Sequence, residues 1–309
     1  MGLMIEGTYH AEDPGPDTVL DGAFRRAKST IRHRITRDGS SGFPAEAGRY
    51  HLHVAWNCPW AHRTLLARVE KGLEEAIDVS FARPRRTADG WVFDPEGPFC
   101  DRLKGAAALH EVYAADADPY TGRVTVPLLW DRVRDRAVSN ESADIVRMLN
   151  DAFDGPDLAP PDLLGEIEAW NARIYRDVNN GVYRAGFART QEAYDVAVRE
   201  VFAALDEIEA VLERQPWLCG TRFTEADLRL FPTLARFDVA YHYAFKCNIR
   251  RLTDYPNLWD YARRIHHRPG VAATVDFDIY KQGYFSPSEL RNPLGIVPAG
   301  PRIDWSLGV

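Results

Sequence analysis

One handover in the first quarter of this chain limits its fold more than its composition does. The run Tyr50-His51-Leu52-His53-Val54-Ala55-Trp56 reads as a strand, and Asn57-Cys58-Pro59-Trp60-Ala61-His62-Arg63 then opens a helical pattern. Pro59 suits the first helical position, where a missing N–H costs nothing. Cys58 therefore sits where a strand ends and a helix begins, beside amides that stabilise an anion, and this favours a reactive thiolate. Ala61 stands where a dithiol motif would carry its second cysteine. A disulfide formed by Cys58 must then be resolved by another thiol, most simply a small one from solution. Taken alone, the same features also describe a buried cysteine that merely packs. His62 and Arg63 place positive charge in a first helical turn against the dipole, so they are expected to turn outward or pair with a carboxylate.

Around this point strand and helix alternate. A helix over residues 59–71 closes at Gly72, Ile77 to Ala82 reads as a second strand, and Thr125-Val126-Pro127-Leu128-Leu129-Trp130 as a third, followed by a polar turn with Asp131 and Asp135. Ser139-Asn140-Glu141-Ser142 opens a helix with its apolar face at Ile145, Val146, Met148 and Leu149. This order predicts a small α/β domain over 47–153. Residues 1–46, with loop signals at Asp13-Pro14-Gly15-Pro16 and Arg37 to Gly42, read as an arm, and the Gly/Pro-rich stretch 154–162 as a linker. An all-helical domain is expected over 163–285, with periodic runs at Leu163 to Val178, Gln191 to Leu212 and Thr224 to Phe245. Thr224-Glu225-Ala226-Asp227 is a capping box. The irregular tail 286–309 carries Leu294, Ile296 and Val297, which suggest that it docks.

With 309 residues, 45% hydrophobic and 27% charged, the chain can bury two cores. A formal net charge of −7 argues against a nucleic-acid surface. Cys58, Cys100, Cys219 and Cys247 are widely spaced and fit a reducing compartment better than a disulfide framework. No signal peptide or membrane-length apolar run is visible, so a cytoplasmic protein is expected.

Other residues could complete a thiol site. Pro127 after a β-branched residue in a strand needs an explanation, and a cis peptide that turns the Val126 backbone toward a ligand would supply one. Glu141 and Ser142 at a helix start could hold the ammonium and carboxylate of a γ-glutamyl peptide, or could simply belong to a cap made by Ser139 or Ser142. Asn179-Asn180-Gly181-Val182-Tyr183 interrupts a helix, and tyrosines gather at Tyr241, Tyr243 and Tyr284. Trp91 alone reads as core. His51 and His53 share a strand face without a carboxylate or thiol at ligand spacing, so no metal is expected.

Together these residues resemble the Xi class of glutathione transferases, the glutathionyl-hydroquinone reductases. The likeness runs from Asp21-Gly22-Ala23-Phe24 to Pro298-Ala299-Gly300-Pro301. Its most specific pieces are Cys58 to Arg63, Gly90-Trp91-Val92-Phe93, Thr125 to Asp131, Asn140-Glu141-Ser142, Asn179 to Phe187, Phe245 to Asn248 and Asn292 to Pro298. The resemblance implies a thioredoxin-like α/β N-terminal domain, an all-α C-terminal domain and a homodimer acting on small quinone and hydroquinone conjugates, with glutathione as co-substrate. It implies that Cys58 is the nucleophile and that Trp91, the backbone of Arg123, Val124, Thr125 and Val126 ahead of Pro127, and Glu141 with Ser142 form the glutathione site. Tyr183 resembles the proton donor to the departing hydroquinone carbon, and Tyr241 and Tyr284 the tyrosines that hydrogen-bond near thiolate and substrate. A general thioltransferase or dehydroascorbate reductase of omega-like type is the alternative within thiol chemistry. A non-catalytic binding or assembly module is the alternative outside it.

Overall fold

Strand β5 (Tyr50–Ala55) is buried at all six positions because it is paired on both sides. The computed structural model describes residues 2–12 and 18–307, so the Asp13-Pro14-Gly15-Pro16 signal lies outside the described residues. Two compact units form, one from Met1–Pro16 and Lys28–Pro156, the other from Asp17–Ala27 and Asp157–Val309. The residues that read as a single arm are thus divided between the units.

In the first unit β5 runs parallel to β6 (Ile77–Ala82), in register from Tyr50 opposite Ile77 to Ala55 opposite Ala82. Helix α1 (Pro59–Glu70) is the crossover between them. On its other side β5 pairs antiparallel with β8 (Leu128–Asp131), and β9 (Arg136–Ser139) completes a sheet of order β6-β5-β8-β9. Helix α3 (Ser142–Ala152) packs beside α1 with Ile145, Val146, Met148 and Leu149 buried. This mixed order is the expected thioredoxin-like arrangement. The polar turn expected after β8 is shorter than it reads, because Asp131 is the last residue of that strand and β9 begins at Arg136. Further pieces are β1 (Leu3–Ile5), β2 (Thr8–His10) and β7 (Gly122–Arg123), which form a small antiparallel sheet, and a short helix α2 (Leu109–Ala114).

In the second unit, the hairpin β3 (Val19–Leu20) and β4 (Ala23–Phe24) joins helices α4 (Leu164–Ile174), α5 (Gly181–Gly186), α6 (Gln191–Leu212) and α7 (Glu225–Arg236). After them come α8 (His242–Ala244), α9 (Pro256–His266) and α10 (Phe277–Tyr284). Two wide turns of π-helix, Tyr175–Asn179 and Phe237–Tyr241, break the long periodic runs into these pieces. The tail docks differently from expectation. Leu294 and Ile296 are exposed, whereas Trp305 is buried against Trp259 and Phe277, with ring centroids 4.7 and 5.1 Å away.

Beneath the main sheet lies a polar network that the strand pattern does not reveal. His51 Nε2 is 2.7 Å from Ser80 Oγ, His53 Nε2 is 2.9 Å from Asp101 Oδ1, and Arg132 reaches His51 Nδ1 at 2.9 Å. A carboxylate therefore does stand beside these histidines, brought by the loop after β6, contrary to the reading of spacing alone. Asp101 also accepts from the amides of Leu103, Lys104 and Ala106. Burial, then repulsion from His53 and Arg132, pushes His51 down to about 3. Burial would raise Asp101, but the hydrogen bond and charge of His53 and the backbone amides hold it well below the usual carboxylate range.

The unfolded chain protonates His51 near ~6.5, while the folded chain resists until about 3. The stability that neutral His51 contributes is therefore complete above the unfolded value and is lost as the pH falls through this window, at no more than about 1.4 kcal/mol per pH unit. The depressed Asp101 has the same sign at lower pH. His51→Gln should flatten the fall in unfolding free energy between pH 7 and pH 5 measured by urea titration. An equal slope in both proteins would exclude His51 as its source.

Candidate active site

Because β5 is fixed on both edges, its C-terminal end delivers Cys58 to a defined place. Cys58 is the N-cap of α1, in extended conformation at φ −85° and ψ 114°, its carbonyl accepting from the His62 amide at 3.0 Å. Pro59 occupies the first turn, which carries no acidic residue to compete for the positive end of the helix dipole. The helix ends where Gly72 takes φ +65° and the Leu73 amide returns to the Arg68 carbonyl at 2.8 Å. Cys58 is partly buried, and its thiol donates to the Val126 carbonyl at 3.5 Å. The Val126–Pro127 peptide is cis, and so is Gly300–Pro301, for which the sequence carries no comparable signal.

His62 and Arg63 do not turn outward. They are 1% and 2% exposed, and the Arg63 guanidinium lies 4.7 Å from the centroid of the Trp60 ring. Holding the guanidinium over an indole face offsets part of the cost of burying this cation.

The other residues assigned to the thiol site belong to the same unit. Arg123 closes β7, and burial lowers its guanidinium from the ordinary value. Its carbonyl accepts from the Tyr120 hydroxyl at 3.1 Å, the Thr125 carbonyl accepts from Tyr113 at 2.9 Å, and Val124 and Val126 are buried. The backbone before Pro127 is thus held rigidly by side chains from and beyond α2. Trp91 is 6% exposed with the Arg86 guanidinium 5.2 Å from its ring. At the head of α3 the cap is neither Ser139 nor Ser142. Glu141 is the N-cap and accepts from the Ala143 amide at 3.1 Å, while the Ser139 hydroxyl receives the Glu141 amide. This arrangement keeps the carboxylate of Glu141 partly exposed and Ser142 buried in the first turn.

A separate cluster lies in the helical unit. The hydroxyls of Tyr183 on α5, Tyr284 on α10 and Tyr241 on the second π-turn form a chain, with 2.8 Å from Tyr183 to Tyr284 and 2.8 Å from Tyr241 to Tyr284. Tyr243 stands apart, largely exposed. Phe245 packs against all three rings at 5.3 to 5.6 Å. Gly186 makes this possible, since a Cβ there would meet the Phe245 ring at 2.2 Å. Burial pushes Tyr241 and Tyr284 well above the ordinary phenol value, reinforced by Tyr183 and opposed by the Arg236 guanidinium. Arg236, fully buried at the end of α7, stacks 3.8 Å from the centroid of the Tyr280 ring. Neither Arg236 nor Tyr280 was singled out by sequence reasoning, because a lone arginine in an apolar helix carries no motif.

Comparison with known proteins places these features in a family. Residues 57–152 match the model of the glutathione S-transferase N-terminal domain, and residues 191–264 that of the C-terminal domain. The glutathionyl-hydroquinone reductases PcpF of Sphingobium chlorophenolicum and YqjG of Escherichia coli K12 are each 46% identical. The matches span 97% of this chain and 96% and 95% of theirs. Among solved structures, a Xi-class glutathione transferase from Natrialba magadii aligns with a TM-score of 0.90 at 41% identity, covering 100% of this chain and 96% of its own. Glutathione-bound YqjG aligns at 0.86 with 44% identity over 94% and 96%.

The Tyr284 hydroxyl bonds to both Tyr183 and Tyr241, so its loss removes two hydrogen bonds. Tyr284→Phe should destabilise the protein by about 1–3 kcal/mol. Urea denaturation of the variant checks this, and an unchanged unfolding free energy would show that the two bonds add nothing to stability.

Proposed function

Since this chain belongs to the Xi class of the glutathione transferases, we propose that it is a glutathione-dependent reductase that removes the glutathionyl group from glutathionyl-hydroquinones. The observation that carries this reading is the single cysteine at the head of α1, with Ala61 in the place of a resolving thiol. Such a sulfur can form a mixed disulfide with a glutathionyl group but has no second cysteine in the same helical turn with which to close an internal one.

In the proposed reaction the Cys58 thiolate attacks the sulfur of the conjugate. The sulfur–carbon bond breaks, its electron pair stays on the ring carbon, and Tyr183 protonates that carbon to give the hydroquinone. Cys58 is left as a mixed disulfide with glutathione, and the negative charge has moved from its sulfur to the Tyr183 oxygen. A second glutathione thiol then attacks the mixed disulfide. Glutathione disulfide leaves, Cys58 returns as thiolate, and the proton of the incoming thiol restores Tyr183.

We assign glutathione to the residues around Cys58. The Val126 main chain would pair with the peptide backbone in the manner of an added strand, and Glu141 would accept from the γ-glutamyl ammonium while the start of α3 receives its carboxylate. Trp91 and the Arg123–Thr125 segment would border the same ligand. We read the protein as a cytoplasmic homodimer; all four cysteines are free thiols, which suits a reducing compartment.

Cys58→Ala should abolish turnover of a glutathionyl-hydroquinone, with a loss of at least about a thousandfold in kcat/KM. Residual activity near that of the unaltered enzyme would reject the assignment. Glu141→Ala should weaken glutathione binding by roughly tenfold or more through loss of the charge-assisted contact. It should also lower stability by about 1 kcal/mol through loss of the cap. Calorimetric titration with glutathione and thermal unfolding without it separate the two effects.

A further inference from the structure

Residues 18–27, far earlier in the chain than the helices, are built into the helical unit as a strap along α5. At one end Arg26 Nε donates to Asn180 Oδ1 at 3.0 Å, immediately before α5 begins. At the other, the Gly22 carbonyl receives the Arg189 amide at 2.9 Å just past the end of α5, and the Phe24 and Phe187 rings pack at 5.2 Å. Gly22 approaches so closely that a Cβ there would lie 2.4 Å from the Thr190 side chain. Between these anchors the Arg26 guanidinium lies 4.7 Å from the centroid of the Tyr183 ring and 5.4 Å from that of Phe24.

We propose that Arg26 is a positioning residue for the protonation step: it fixes the entry to α5 through Asn180 and lays a permanent cation on the face of Tyr183, where the charge left by proton donation accumulates. A guanidinium attracts a phenolate ring more strongly than a neutral phenol, so the contact is worth more after the proton has left than before. The hydroxyl chain supports the same change. Tyr284 can donate to the Tyr183 oxygen and Tyr241 to Tyr284, while burial keeps both of these hydroxyls protonated. The other charged or titratable groups around the cluster are Arg236 behind Tyr280, Arg291 over the Phe187 ring at 4.3 Å, and the Arg184–Glu200 ion pair joining α5 to α6. Among these, Arg26 is the cation seated on the Tyr183 ring itself.

This inference rests on the proton-donor role given to Tyr183, and the experiment separates the two. Arg26→Met, Arg26→Lys and Asn180→Ala are compared on a glutathionyl-hydroquinone and on a small mixed disulfide of glutathione, whose reduction needs no proton on carbon. Arg26→Met should lose about tenfold more kcat on the hydroquinone conjugate than on the disulfide, and Arg26→Lys should recover part of the difference. Alkaline difference spectroscopy of tyrosine ionisation, which requires no turnover, should show one tyrosine titrating later in Arg26→Met and missing in Tyr183→Phe. Equal losses on both substrates with an unmoved tyrosine titration would overturn the proposal and leave Arg26 a structural strap. Full conjugate activity in Tyr183→Phe would overturn the proton-donor reading itself, whatever Arg26 does to the spectrum. Should Arg26→Met not fold, the same criteria apply to Arg26→Lys and Asn180→Ala.

Discussion

The structure depends on β5 being unable to move. Six buried residues, hydrogen-bonded to a parallel neighbour on one side and an antiparallel one on the other, give this strand one register, because a slip of one residue would invert every side chain. Its end is therefore a fixed point, and the turn at Trp56 and Asn57 hands that fixity to Cys58. The thiol meets the Val126 carbonyl because Val126 lies just before β8, the antiparallel neighbour of the same strand. The Cys58 thiol and the backbone facing it are thus placed by one sheet. A thiolate at this position gains the favourable end of α1 without an ordering cost, since the fold has already met it.

Most of this half was legible in the residues. The β5–α1–β6 order follows from local pattern, and Pro59 and Gly72 mark the ends of α1 by the chemistry of first-turn proline and positive-φ glycine. Local pattern could not supply long-range company. The Asp101 carboxylate beside His53 comes from a loop 48 residues later, so the strand offered no sign of it. His62 and Arg63 are buried where the dipole argument allowed them to turn outward, and the Arg63 guanidinium lies over the Trp60 ring, a contact comparable to a helix-end repulsion worth only about 0.3–1 kcal/mol. Glu141 acts as the cap in place of the two neighbouring serines because the extended backbone at φ −106° and ψ 111° lets its carboxylate reach the Ala143 amide.

In the helical half the periodic runs were readable but their interruptions were not. Tyr175–Asn179 and Phe237–Tyr241 continue the apolar pattern, so periodicity extends the helices straight through them, yet both widen into π-turns. Each inserted residue rotates the helix beyond it, and each turn adjoins a member of the tyrosine chain. Tyr241 is the last residue of one, and Tyr183 lies on the helix that starts two residues beyond the other. π-Bulges frequently occur at functional sites, which is in keeping with the role proposed for this cluster. The arm's share in this unit was equally hidden. Nothing in Asp21-Gly22-Ala23-Phe24-Arg25-Arg26 announces a partner in α5, and only the fold brings the Arg26 guanidinium onto a tyrosine ring.

In the proposed cycle the two clusters divide the work by the charge each can hold. Sulfur at the head of α1 is suited to carry a negative charge at rest, since thiolate is intrinsically stable and the helix end favours it. The tyrosine chain is suited to carry that charge only briefly. Burial raises Tyr241 and Tyr284 so that they remain donors, while Arg26 and Arg236 supply positive potential to the neighbourhood of Tyr183 and its partners. A phenol that was too acidic would sit ionised and could not protonate carbon, and one wholly without cations would hold its proton too tightly. The combination of desolvated hydroxyls and nearby guanidiniums sets burial against positive charge at Tyr241 and Tyr284. In the proposed cycle it lets one negative charge leave sulfur for oxygen in the first half-reaction and return in the second, with the incoming glutathione thiol supplying the proton that resets the phenol.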